Sequence, residues 1–200
     1  MAIEEPSFKV ISKSGSFELR QYEPMLIAET IVEGDMDEAS SKGFRRIADY
    51  IFGNNQMPMG ESSTKIAMTA PVTMEPQSQK IDMTAPVALV PAEDMETSNQ
   101  WRVHFVMPSR YTLSTIAQPK NPEVTLRQLP GKLFAVNSFT GFNTKSRVSA
   151  KSEALRQWVD QNNWKAMGQA QLARYDPPWT LPMFRRNEVM IEIQETQLRK

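Results

Sequence analysis

The sequence predicts an α+β fold: a distorted, mostly antiparallel β-barrel with two helices, assembled from two similar halves with pseudo-two-fold character. Three observations lead there. Short segments alternate apolar and polar residues and are joined by turn residues, the pattern of hairpin-linked strands. Two longer segments change to a helical period. The second half then echoes the first at an offset of 107 residues, with Leu19-Arg20-Gln21 recurring as Leu126-Arg127-Gln128, Leu26 as Leu133, Ala28 as Ala135 and Gly34 as Gly141. Strand runs with segregated helices favour an antiparallel sheet. A single domain is expected, with halves of approximately 8–107 and 121–195.

The elements follow in order. Phe8–Ile11 and Phe17–Tyr22 alternate around Ser14-Gly15, and Met25–Val32 continues as a third strand that Gly34-Asp35 stops. A helix follows, with Asp35 or Asp37 as its cap and Glu38 in its first turn. Phe44, Ile47, Ala48 and Ile51 give it one apolar face, and Gly53-Asn54-Asn55 ends it. Lys65–Val72 and Lys80–Val87 match at seven of eight positions and predict a pair of strands turning at Glu75–Gln79. Pro71 and Pro86 have no N–H to give a ladder, so edges or bulges are expected there. Trp101–Val106 alternates as a further strand. In the second half a helix is expected from roughly Ser146 to Asn162, with Val148, Leu155, Trp158, Val159 and Asn162 on one face. A Tyr175–Trp179 loop and a strand over Val189–Ile193 close the chain.

Composition removes several classes of function. There is no cysteine, so disulfides, thiolate metal sites and cysteine nucleophiles are excluded. There is one histidine, His104, and no metal-ligand spacing around it. Lysine plus arginine equals aspartate plus glutamate at 23 each, which gives no electrostatic footprint for nucleic acid and no polybasic membrane patch. Met1–Pro6 shows no basic or apolar leader pattern, and apolar runs are short, so a soluble cytoplasmic protein is expected. The 13 methionines suit ordinary core filling or an adaptable apolar surface. No acid–base pair can be named, so the residues point to a binding protein rather than an enzyme.

The tandem Met-Thr-Ala-Pro-Val at Met68–Val72 and Met83–Val87 resembles the signature of the SOUL (haem-binding protein) family. Other segments agree in order: Arg20-Gln21-Tyr22, Gly43-Phe44 with Tyr50–Asn54, Phe105–Pro108, Gly141-Phe142, Ala173–Trp179 and Arg185–Val189. The resemblance runs from about Phe8 to Gln194. It implies a distorted barrel of two α+β halves and, in some members, binding of haem or porphyrin. Some members are associated with an axial histidine in the N-terminal half. No histidine precedes His104 here, so that ligation is not carried over.

A porphyrin is a flat apolar disc with anionic propionates, and an apolar groove with rim cations would hold one without an iron bond. The candidate residues are Phe44, Arg45 and Ile47 on the first helix and Lys151 and Leu155 on the second. Trp179 and Phe184 at the final loop complete them. Lys151 shares the stripe of Val148 and Leu155, so it either snorkels or meets an anion. Arg45 is either solvated or a second propionate partner. Trp179 and Phe184 form either a lip over a ligand or a closure of the barrel end, with Arg186 and Glu188 bridging locally. His104 lies in opposite phase to Trp101, Val103 and Phe105, which reads as a surface or hydrogen-bonded strand histidine. The reading is therefore non-catalytic, non-covalent haem or tetrapyrrole binding without a histidine ligand. Three alternatives stay open. One is a site for other flat aromatic molecules, since the halves resemble effector-binding domains of multidrug-responsive regulators, and its cue would be a buried carboxylate. The others are a tetrapyrrole-processing enzyme and a protein-interaction role.

Overall fold

The computed structural model describes residues 3–58, 60, 62–77, 99–176 and 179–194. Its elements are β1 (Phe8–Ser14), β2 (Phe17–Tyr22), β3 (Met25–Glu33), α1 (Met36–Ile51), β4 (Asn55–Gln56), β5 (Val72–Pro76), β6 (Gln100–Val106), β7 (Gln118–Pro119), β8 (Thr125–Leu129), β9 (Lys132–Thr140), α2 (Lys145–Gln161), β10 (Gln171–Arg174), a 3₁₀ turn at Pro182–Phe184, and β11 (Arg186–Ile193). Nine strands form one antiparallel sheet in the order β1-β2-β9-β11-β10-β5-β6-β3-β8, and β4 pairs with β7. The sheet curls into a half-barrel whose edges, β1 and β8, do not pair with each other. The fold is α+β, as the sequence predicts.

The 107-residue offset carries β3 onto β9 over its full length. It also governs pairing: β2 lies beside β9, and β3 beside β8, so strands of the two sequence halves share one sheet.

Both helices lie on one face of the sheet. α1 packs on β3 and β6, and α2 on β9 and β11. Strand alternation supplies the surface they cover: Trp101, Val103 and Phe105 from β6, Leu133 and Ala135 from β9, and Val189, Ile191 and Ile193 from β11. Ile47 and Ile51 of α1 and Leu155 of α2 are fully buried against it, each contributing about 1.5–3 kcal/mol of apolar burial. Gly43 lets α1 approach closely, because a Cβ there would lie 2.6 Å from Val103 Cγ2. Asp35 caps α1 by accepting from the Asp37 and Glu38 amides, and Thr144 caps α2. Among the described residues no helix is long and apolar enough to cross a membrane.

The tandem motif departs from its reading as a strand pair. Lys65–Pro71 is not part of the sheet, and β5 begins at Val72. That stretch makes single backbone bonds instead, from the Ile66 amide to Ile51 and from the Ala70 amide to Glu4. Glu75 and Pro76, expected in the turn, are the last residues of β5 and pair with Arg102 and Trp101. Pro76 sits at the strand's end, where its missing N–H breaks little of the ladder. The second copy, Lys80–Val87, lies outside the described residues.

Candidate functional site

The sheet's other face is concave and carries a cavity of about 330 Å³. One wall is apolar, with Tyr22, Phe134 and Met190 in a small cluster of their own beneath Met25 and Tyr175. The facing wall is polar and comes from β5, β6 and β10: Thr73, Glu75, Arg102, His104 and Gln171. Charges there are matched. Arg102 meets Glu75 at 2.8 Å, Arg127 meets Glu29 at 2.7 Å and Lys132 meets Glu192 at 2.6 Å.

His104 is neither a surface residue nor hydrogen-bonded through Nδ1, in contrast to the sequence reading. It is 8% exposed, lines the cavity between Thr73 on β5 and Glu29 on β3, and its shielded Nδ1 has no partner. Burial, reinforced by the Arg127 and Arg102 guanidinium groups, pushes its pKa down to about 3. The imidazole is therefore neutral, with one donor and one acceptor nitrogen.

Behind the apolar wall lies a buried ion pair with no local signature in the sequence. Arg20 donates from Nη1 and Nη2 to the two carboxylate oxygens of Glu188 at 2.9 and 3.1 Å. Tyr175 and Ser138 donate to the same carboxylate at 2.7 and 3.0 Å. Burial alone would lower the Arg20 pKa, but the Glu188 hydrogen bonds and charge outweigh it and hold the pKa above its usual value. Burial pushes the neighbouring Tyr22 hydroxyl up to about 12. The local Arg186–Glu188 bridge expected from the sequence does not form. Arg186 instead stacks over Tyr175, with its carbon 3.6 Å from the ring centroid, and pairs with Glu5. Partner choice follows burial: Glu188 is sealed inside while the Arg186 side chain stays 44% exposed.

The residues anticipated as a ligand site divide into two groups, and none lines the cavity. Ile47 and Leu155 belong to the core between helix and sheet, so no groove opens along the helix stripes. Phe44 borders that core, its ring 5.5 Å from Phe105, and Arg45 is exposed on α1. Lys151 lies on α2, Phe184 ends the 3₁₀ turn that contacts β9, and Trp179 precedes that turn in the closing loop. The Lys151 ammonium lies 5.9 Å from the Phe139 ring and, among the described residues, has no carboxylate partner. Arg147 lies against the same ring at 5.7 Å. The Gly141 amide bonds to the Arg185 carbonyl, and the Arg185 guanidinium sits 5.9 Å from Phe142 while donating to the Thr180 carbonyl. Around these contacts Phe142, Trp179, Leu181, Met183 and Phe184 are between 57% and 84% exposed. Four of these five large apolar side chains fall within the six residues from Trp179 to Phe184. Phe142 is visible in the sequence only through the family resemblance, and Leu181 and Met183 carry no sequence signal, because apolar loop residues have no periodicity.

Arg174, also unanticipated, faces the helices, donates to Ser40 Oγ at 2.6 Å and lies 3.7 Å from Asp37. Its Nε and Nη2 are shielded without hydrogen-bond partners, and burial lowers its pKa. Among the described residues no group of three metal-ligating side chains occurs.

A stretch of 77 residues is 40% identical to Heme-binding protein 2 of Mus musculus, and equally to that of Homo sapiens. The stretch is 36% of this chain and 35% of each relative, so the chain spans about a third of the length of the curated relatives it matches. Two solved structures share the fold at low identity. The EcmrR C-terminal domain superposes with a TM-score of 0.59 at 11% identity, covering 89% of this chain and 96% of its own. A hydrolase from Listeria innocua gives 0.54 at 11% identity, covering 92% and 94%. The model of the SOUL heme-binding protein matches residues 3–79 and 75–192, and the chain belongs to that family.

Proposed function

We propose that this protein binds haem or a related tetrapyrrole non-covalently and without catalysis, as a carrier or buffer, at the aromatic end of the β9–β11 pair. The observation that carries this is the exposed set Phe142, Trp179, Leu181, Met183 and Phe184, with the Arg185 guanidinium 5.9 Å from the Phe142 ring and Arg147 beside Gly141. A macrocycle laid on these side chains regains apolar burial that the free protein leaves undone. At about 100 Å² per aromatic ring and about 25 cal/mol per Å², each ring contributes roughly 2.5 kcal/mol. Lys151 and Arg147 rest against Phe139 at the border and supply charge to propionates. The family relationship supplies the ligand class.

The donor set fits a tetrapyrrole held by its faces and edges. His104, the one imidazole in the sequence, lies in the polar cavity beside two guanidinium groups, so it is not a ligand at the aromatic end. The alternative of a flat aromatic cation called for a buried carboxylate. Glu188 is buried, but Arg20, Tyr175 and Ser138 already satisfy it, which leaves no counter-charge for such a ligand.

The test is titration of hemin into the purified protein, followed by the Soret band and tryptophan emission. Trp179 is 84% exposed, whereas Trp101 and Trp158 are buried, so quenching should be dominated by Trp179. Saturable binding at micromolar concentration, weakened at least tenfold in Trp179→Ser/Phe184→Ser, is the expected result. Absence of a saturable Soret change, or unaltered affinity in the double variant, would overturn the proposal.

A further inference from the structure

We propose that the concave face of the sheet is a second and separate site, and that it takes an uncharged amphiphilic small molecule with hydrogen-bonding groups along one edge. The shape sets the size: about 330 Å³ lies at the small end of the ~300–1,000 Å³ range of ligand pockets. The walls set the amphiphilic character. Tyr22, Phe134 and Met190 form an apolar side, and Thr73, His104 and Gln171 face it.

Charge balance sets the neutrality. Arg102, Arg127 and Lys132 each lie within 2.8 Å of a carboxylate, Glu75, Glu29 and Glu192; Arg102 Nε, 3.6 Å from Glu29, is the one donor among them that is buried without a hydrogen bond. An anion entering this space would compete with those carboxylates, and a cation with those guanidinium and ammonium groups. Either would lose hydration without gaining a free counter-ion. An uncharged ligand avoids that cost. This separates the cavity from the aromatic end, where Lys151 stands against Phe139 without a carboxylate partner among the described residues.

His104 is the second observation that points to a ligand. Buried polar groups are nearly always hydrogen-bonded, and each exception calls for an explanation. His104 is 8% exposed, lines the cavity, and leaves Nδ1 without a partner. A polar edge in the cavity lies against the His104 ring, and a small shift of the side chains that shield Nδ1 would give that nitrogen the hydrogen bond the protein does not supply.

The experiment titrates the full chain with three probes: Prodan, an uncharged naphthyl ketone; the anionic naphthalenesulfonate ANS; and cationic ethidium. Four proteins are compared: wild type, the cavity variants Gln171→Trp and Gln169→Trp, and the aromatic-end variant Trp179→Ser/Phe184→Ser. Circular dichroism checks folding, and two cavity variants guard against one failing to fold. Prodan should bind saturably with blue-shifted emission, at least tenfold more tightly than ANS or ethidium. A bulky indole in the cavity should weaken Prodan at least tenfold, and the aromatic-end variant should leave it unchanged. No saturable Prodan binding, equal affinity in a folded cavity variant, or loss in the aromatic-end variant alone would overturn the proposal. Tighter cavity-dependent binding of ANS or ethidium would do the same. Hemin titrated into the same four proteins reports on the tetrapyrrole proposal independently, because that ligand should respond to the aromatic-end variant and to neither cavity variant.

Discussion

Replacing His104 with leucine should abolish an acid-side loss of stability that the wild-type protein shows between about pH 7.5 and about pH 5. The folded-state pKa of His104 is depressed to about 3 from an ordinary 6.5. As pH falls through 6.5 the unfolded chain therefore takes up a proton that the folded chain refuses. The stability is fully present above 6.5 and is lost progressively toward 3. At about pH 5 the unfolded imidazole is almost wholly protonated and the folded one is not, which amounts to about 2 kcal/mol of lost stability. That figure holds for any folded pKa below about 4, since the ordinary pKa then sets the loss. The groups facing the ring are Thr73 and Glu75 on β5, Glu29 on β3, Arg102 on β6 and Arg127 on β8, and the four charged ones form the pairs Arg102–Glu75 and Arg127–Glu29. Glu4, Glu18 and Asp35 have lowered pKa values and lose stability only near and below their ordinary carboxylate range, equally in both proteins. Urea unfolding by tryptophan fluorescence at the two pH values, for wild type and His104→Leu, measures the difference. The variant should be near-neutral at about pH 7.5, because an unmet nitrogen disappears with the ring. An identical pH dependence in the two proteins would refute the reasoning.

Three further outcomes are expected. Glu188→Gln should destabilise the fold by about 1–3 kcal/mol in urea unfolding, because buried Arg20 loses the charge of one of its two carboxylate partners and keeps Glu18 at 2.7 Å. Gly43→Ala should cost about 1–3 kcal/mol by forcing α1 away from Val103, and Val103→Ala in the same chain should restore part of it; no recovery would mean that the contact is not limiting. Lys151→Glu should weaken hemin about tenfold in the Soret titration while leaving the urea midpoint nearly unchanged, whereas His104→Leu should leave hemin affinity unaltered.

What was legible in the sequence was periodicity. Alternation in Phe17–Tyr22, Met25–Val32 and Trp101–Val106 located β2, β3 and β6, and the i, i+3, i+4 pattern located both helices and the fully buried Ile47 and Leu155. Those same signals misdirected the search for a site. An apolar stripe states that a helix face is covered, and here the sheet itself covers it. The tandem motif misled for a related reason: repetition implies a conserved local environment within the chain, but Pro71 and the single bonds of Ile66 and Ala70 show a stretch held outside any ladder.

The cavity was hidden by distance in the chain. Its walls join Tyr22, His104, Phe134 and Met190, and its ion pairs join Glu29 to Arg127 and Lys132 to Glu192, so no window of sequence contains it. Phase did hold half the answer. His104 stands opposite Trp101, Val103 and Phe105, and once helices cover those three, the histidine must face the other side of the sheet. What phase does not reveal is whether that other side meets water, and only the curl of nine strands decides it. The curl also separates two electrostatic environments. The inner face matches each cation with a carboxylate, while at the outer end Lys151 and Arg147 rest on an aromatic ring. An anionic macrocycle gains nothing from the first and is drawn to the second, so competition between hemin and Prodan is the sharpest discriminator. If the two sites are separate, saturating hemin leaves the number of Prodan sites and their affinity unchanged; full displacement would collapse both into one.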